Sequence, residues 1–322
     1  MMDPINIVCC LDNNYVMPYG IMLYSLCENN KEVSLCVFVI HAGLSEDNKK
    51  RLKDTVKAFK QQIEFIKIEK SLLPDFKFSK LQQQLPISCY YRLFMTSLLP
   101  KDIHKVLYLD GDMIVRKSVK KLFEEQLGEK GLAVVPDYIW GYNKISVTYN
   151  ALKYSPALGY FNAGVLLINL KYWQDEEVEK KFVEFVENHN RIIIHHDQDV
   201  LNKIFCNNKK SLPLTYNFQH NFLAKPEYRL ISWEYDEEIA RTATDPVIIH
   251  YTGLKPWFKD CDHPYKEEFL KYKNKSLWKD VPLSRSFKRE LKRFIKDVIT
   301  KLGLSDRFRP VEYAYQYSDL KQ

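Results

Sequence analysis

The chain has 322 residues, 46% of them apolar, enough to bury one large α/β domain or two small ones. Of the net charge of +7, about +6 lies between residues 284 and 309, where nine Lys and Arg face three acids, so no basic nucleic-acid surface is expected on the main body. No run reaches the roughly 18 to 20 apolar residues of a membrane span, and the start of the chain passes directly into a strand-like segment rather than a secretory signal.

That first strand is Ile5–Cys10. A helix-period stretch follows at 19–28, then a strand at 35–40, a helix at 48–59 and a strand at 63–68. The alternation predicts parallel βαβ units. Further strands at Lys105–Leu109 and Leu132–Pro136 end on Asp110 and Asp137, so acids gather at strand carboxyl ends, the edge where open α/β sheets bind ligands. The second half is less regular, with a strand at 164–170 and helices at 176–186 and 198–205. Pro282 marks the expected end of a compact domain over 1–280, whose donor-binding part would be about 1–137, ahead of a tail over 281–322. The seven cysteines are odd in number and never take a CxxC spacing, which predicts reduced core thiols in the cytosol.

In Lys105-Val-Leu-Tyr-Leu-Asp110-Gly111-Asp112, two carboxylates two residues apart follow an apolar strand and face one side of an extended chain. Both could grip one Mn2+ or Mg2+, with Gly111 allowing close ligand approach. Asp-x-Asp also recurs at Asp197 and Asp260, and Asp110-Gly111 is equally a hairpin signal. A second segment, Val247-Ile-Ile-His250-Tyr-Thr-Gly253-Leu-Lys255-Pro-Trp257, joins a metal-capable imidazole to a glycine and a point charge suited to phosphate, although a single histidine after a strand is often structural. Arg92, in an apolar helix-like segment, needs an anion, either a phosphate or a carboxylate of the fold. Asp12, Asn14 and Tyr15 after the first strand offer acceptors, an amide and a ring to a nucleobase and ribose, or form a plain polar loop.

These motifs, together with Val-Cys-Cys10-Leu-Asp12-Asn-Asn14-Tyr15, Tyr91-Arg92-Leu, Tyr160-Phe-Asn162-Ala163-Gly164 and Asp197-Gln198-Asp199-Val-Leu-Asn, resemble in order glycosyltransferase family 8 over roughly residues 5–260. The group includes bacterial lipooligosaccharide galactosyltransferase and glycogenin. The resemblance implies a Rossmann-like, GT-A type mixed sheet flanked by helices, and retaining transfer of a hexose from UDP-galactose or UDP-glucose to a saccharide acceptor. It implies Asp110, Asp112 and His250 as ligands of Mn2+. It implies donor contacts from Cys10, Asp12, Asn14, Tyr15, Arg92, Gly111, Asn162, Ala163, Gly253 and Lys255, and places Asp137, Asp197 and Gln198 at the reacting sugar. The chain departs from the galactosyltransferase at Gly111, where that enzyme has Thr, and in a shorter gap between Gly253 and Lys255.

A retaining transferase with Gln198 where a carboxylate nucleophile would be expected favours front-face attack, with Asp197 as the alternative nucleophile. Haloacid-dehalogenase-like phosphatases also place Asp-x-Asp after a strand, but continue it differently from Met113-Ile114. A non-catalytic nucleotide-sugar-binding scaffold is the rival of another class. In the tail, Phe287, Leu291, Phe294, Ile295, Val298, Ile299 and Leu302 recur at helical spacing among lysines and arginines, so 285–302 is expected to bind an anionic membrane surface, where a lipid-linked acceptor of a lipopolysaccharide or other surface glycan would be presented on the cytoplasmic face. The alternative is docking on the domain's own core.

Overall fold

The structure, a computed structural model, describes residues 3–73, 87–138, 145–153, 155–189, 192–226, 231 and 233–286, and further along only 290, 291, 295, 298, 299 and 314. Ten strands form two sheets: β1 (Ile5–Cys10), β2 (Leu35–His41), β3 (Gln62–Lys67), β4 (Lys105–Leu109), β5 (Met113–Val115), β6 (Leu132–Pro136), β7 (Phe161–Asn169), β8 (Lys209–Ser211), β9 (Phe218–Gln219) and β10 (Ile248–His250). The larger sheet has the order β3-β2-β1-β4-β7-β6-β8, the smaller β5-β10-β9.

The run β1 to β4 is parallel, as the alternation predicts. Central strands read as continuous apolar runs because helices cover both faces, and all seven residues of β2 are buried. At the edge, β3 alternates exposed and half-buried positions. Strand order reverses at β1, which lies between β2 and β4, so the loops after β1 and β4 open a crevice at the carboxyl edge. Strand β7 runs antiparallel to β4, with Leu109 opposite Val165. Its first residues therefore reach that same edge, where Asp110 N donates to Gly164 O at 2.9 Å.

Asp110-Gly111 is not a hairpin: it carries the chain from β4 in one sheet to β5 in the other. In the small sheet β10 is antiparallel to β5, pairing His250 with Met113, and Tyr251 N donates to Asp112 O at 3.0 Å. This register brings His250 beside the two aspartates across more than a hundred residues of sequence.

Two apolar cores lie on opposite faces of the large sheet. One packs helix Val16–Glu28 against Trp278, Phe269 and the small sheet. In the other, Trp173 stacks on Phe205 with ring centroids 5.4 Å apart and donates from Nε1 to Gly131 O. Boundaries depart from the sequence reading where side chains cap. Asp12 accepts from Asn14 N and opens a 3-10 turn, so the helix expected from residue 19 begins at Val16. Asn169 accepts from Tyr172 N, so the strand expected at 164–170 stops at 169, and it starts earlier, at Phe161. The Arg92 segment is a 3-10 run, Ile87–Phe94.

All seven cysteines are free thiols, four of them buried. Backbone bonds from Ser284 N to Trp257 O and from Lys259 N to Ser284 O tie the chain to the domain as far as Ser284. The amphipathic helix expected over 285–302 lies for the most part outside the described residues; among those that are described, Leu291, Ile295 and Val298 are exposed. No helix among the described residues is long and apolar enough to cross a membrane.

Candidate active site

At the carboxyl edge, a cavity of about 470 Å³ is lined by Asp110, Asp112 and His250 at one end and by Asp137, Asn162, Asp197 and Gln198 towards the other. A neighbouring cavity of about 280 Å³ adjoins Cys10, Asp12, Tyr15, Arg92 and Gly111. A third, bordered by Asp12, Asn14, Gly43 and Tyr91, continues past the end of β1. Apart from Gly253 and Lys255, which line none of the three, the sequence-derived candidates thus gather along these cavities.

Asp110, Asp112 and His250 each present a ligand atom within 4.8 Å of the others. His250 Nε2 lies 3.2 Å from Asp112 Oδ1 and 4.0 Å from Asp110 Oδ2. Its other nitrogen, Nδ1, is 2.8 Å from Asn217 Oδ1, which assigns the proton to Nδ1 and turns Nε2 towards the carboxylates. Two carboxylate oxygens and one neutral imidazole nitrogen, leaving room for diphosphate oxygens and water, suit Mn2+. Backbone approach is essential here. A Cβ on Gly164 would come within 2.3 Å of His250 Cε1 and 2.9 Å of Asp110 Oδ2.

The two aspartates are held differently. Asp110 Oδ1 accepts from Arg92 Nη2 at 2.9 Å and from Tyr108 OH at 2.8 Å. Arg92 is buried, lies with Cζ 4.3 Å from the Tyr108 ring centroid, ion-pairs with Asp197 at 3.0 Å, and donates to Cys89 O and Ala163 O. Its anions are therefore carboxylates of the fold. Burial opposes the guanidinium's charge, but Asp110 and Asp197 beside it hold it protonated well above its usual range. Burial also pushes the Asp197 carboxyl up to about 6, against the pull of Arg92. Asp112 instead accepts from Lys255 Nζ, which also donates to Tyr251 O at 2.6 Å. Burial would raise the Asp112 carboxyl, yet Lys255 and His250 hold it well below the usual carboxylate range.

From His250 a chain of amides crosses the site. Asn217 Nδ2 donates to Asn162 Oδ1 at 2.9 Å, and Asn162 Nδ2 donates to Asp137 Oδ2 at 3.0 Å. Gln198 Nε2 lies 3.2 Å from the same oxygen, while Gln198 Oε1 accepts from Ala163 N at 3.0 Å. One network thus orients both the imidazole and the Gln198 amide. Asn217 was absent from the sequence reading, because it is fully buried, sits in no motif and acts through His250. At the far end, Asn14 and Tyr15 are exposed, with Tyr15 edge-on to Trp257 at 5.8 Å. Gly253 packs on His220, so that a Cβ there would lie 2.7 Å from Cδ2.

Comparison with known proteins follows the same residues. The model of "Glycosyl transferase family 8" matches residues 6–261. General stress protein A of Bacillus subtilis is 28% identical over 86% of this chain and 95% of its own length. The lipopolysaccharide 1,3-galactosyltransferase of Salmonella typhimurium is 28% identical over 87% of this chain and 81% of its own. The crystal structure of galactosyltransferase LgtC with donor and acceptor sugar analogues superposes with a TM-score of 0.73 at 27% identity, covering 85% of this chain and 96% of that one.

Proposed function

The chain belongs to glycosyltransferase family 8 and is a glycosyltransferase, and we propose that it moves galactose or glucose from the UDP-sugar to a saccharide of a surface glycan, with retention and with Mn2+ bound. The observation that carries this reading is the convergence of Asp110, Asp112 and His250 in the crevice at the switch in strand order. Bound there, a divalent cation would neutralise the departing diphosphate.

The protein's own groups do the rest. Lys255, held on Asp112 and Tyr251 O, would meet the diphosphate, while Asp12, Asn14 and Tyr15 would face the uridine. Asp137 accepts from both Asn162 and Gln198 and so orients the Gln198 amide, whose carbonyl oxygen would offset the positive charge that grows on the sugar during front-face attack. Asp197, whose carboxyl burial pushes up to about 6 and which pairs with Arg92, is the alternative nucleophile. Lipopolysaccharide glycosyltransferases among the relatives support a glycan acceptor. The exposed Leu291, Ile295 and Val298, within a basic stretch of sequence, support peripheral attachment at the cytoplasmic face of a membrane, where a lipid-linked acceptor would be met.

The test is UDP release from a panel of UDP-sugars with Mn2+, with and without acceptor, in wild type, Asp112→Ala and His250→Ala. Turnover of one donor, abolished in both variants, supports the reading. Binding of donor without turnover on any acceptor would instead make the chain a nucleotide-sugar-binding scaffold.

A further inference from the structure

Asp199 is the second acid of Asp197-Gln198-Asp199 and, unlike Asp197, lines none of the cavities of the donor site. Its carboxylate has no exposed surface and lies below the crevice. It accepts three hydrogen bonds: from Tyr160 OH at 2.6 Å, from Ile194 N at 2.6 Å and from His195 N at 2.7 Å. Asp199 is the third residue of helix Asp197–Phe205. An acid at that position ordinarily reaches back to the residue capping the helix. Here it reaches one and two residues further, to the backbone leading into the cap.

The cap itself is His196, at φ 53° and ψ −131°, with no side-chain hydrogen bond to the helix. Gln198 N donates to His195 O at 3.1 Å. The four residues His195 to Gln198 thus close a tight turn whose second residue has the backbone of a type II′ turn, a position that favours glycine. A side chain at positive φ is strained and persists only where its surroundings over-determine it. The surroundings here include the two backbone bonds that end on Asp199 and the Tyr90 ring, edge-on to the His196 ring at 6.2 Å. The third and fourth residues of the turn are Asp197, on Arg92, and Gln198, on Asp137 and Ala163. Asn202 completes the frame from below, donating to Gln198 O at 2.9 Å and pairing with the Phe161 backbone.

We propose that Asp199 is a positioning residue for the transfer reaction: it holds His196 in a left-handed backbone conformation and thereby fixes the direction in which Asp197 and Gln198 enter the site. It touches neither donor nor metal ligand. The inference rests on the assignment of Asp197 and Gln198 to the reacting sugar given above.

The test is a double-mutant cycle of Asp199→Asn and His196→Gly, read as kcat for UDP-sugar turnover beside the affinity for UDP with Mn2+. Asparagine keeps the volume but puts a neutral amide oxygen where one carboxylate oxygen accepts from both Ile194 N and His195 N, so Asp199→Asn is expected to lower kcat about 10- to 100-fold, with UDP affinity within about two-fold of wild type. Glycine adopts positive φ without strain, so adding His196→Gly is expected to return kcat to within about three-fold of the His196→Gly single variant. Losses that simply multiply, or a wild-type kcat in Asp199→Asn, overturn the proposal. Should Asp199→Asn not accumulate as folded protein, the double variant is read against His196→Gly alone: a double variant that folds with kcat within about three-fold of His196→Gly supports the proposal, and one that also fails to accumulate overturns it. A wild type that turns over no UDP-sugar defeats the transferase reading beneath it, an outcome distinct from absent rescue.

Discussion

Asp110 and Asp112 are two residues apart and face one metal-capable site, yet one is held by an arginine and the other by a lysine, and the two cations differ in what they leave free. Arg92 is buried and spends its donors on Asp110, Asp197 and two backbone carbonyls. Lys255 bonds Asp112 and a single carbonyl from a flexible four-carbon stem, on a loop containing Gly253. The first arrangement is a frame, satisfied within the fold. The second is a movable charge, able to exchange a carboxylate oxygen for a phosphate oxygen. A family-level motif places both cations on the donor; the geometry separates a residue that shapes the site from one that can follow the ligand.

The largest expected effects fall where the comparison is common to both sides. Asp112→Ala or His250→Ala is expected to reduce transfer by about 1,000-fold or more, since either removes one of three metal ligands, while the fold is kept; steady-state rates and circular dichroism check this. Next, Arg92→Met leaves two carboxylates unpaired in a buried site and is expected to cost about 3–5 kcal/mol of stability together with activity, measured by denaturant unfolding. Lys255→Met should behave differently. It is expected to raise the donor KM about 10-fold with a smaller loss of stability than Arg92→Met, since His250 still faces the Asp112 carboxylate, and to tighten binding of Mn2+ alone, because the ammonium no longer competes for Asp112. Equal destabilisation by both substitutions would erase the distinction.

A smaller difference is expected in pH dependence. The folded Asp197 carboxyl is pushed up to about 6 from an ordinary 3.8, so its contribution to stability is complete below the ordinary value and is lost as pH rises through about 6. Asp112, held low, contributes stability above the ordinary carboxylate range that is lost only in strong acid. Asp197→Asn is therefore expected to flatten the decline in Tm between about pH 4 and 7, and Asp112→Asn to leave that decline in place.

Much of the sheet was legible in the sequence because buried parallel strands write themselves as apolar runs: β1, β4 and β6 match the sequence boundaries, and their terminal acids mark the functional edge. Of the short strands of the second sheet only β10 was legible, as the apolar run that ends on His250. Two or three residues such as Phe218–Gln219 carry no periodicity, and their pairing is set by contacts across the chain. The same limit separates the site residues. Asp110, Asp112 and His250 lie in readable motifs, whereas Asn217 and Asp199 act only through neighbours brought near by folding, and His196 betrays its strain only in its backbone angles. Whether Arg92 met a phosphate or a carboxylate could not be decided before its partners were placed.

The central claim is that the triad binds a metal together with the donor diphosphate. Its most direct test is an electron paramagnetic resonance titration of Mn2+ into wild type and His250→Ala, with and without UDP. The account predicts that the free-ion signal disappears in wild type, more completely when UDP is present, and persists in the variant. Equal Mn2+ binding by both proteins in the presence of UDP would contradict it.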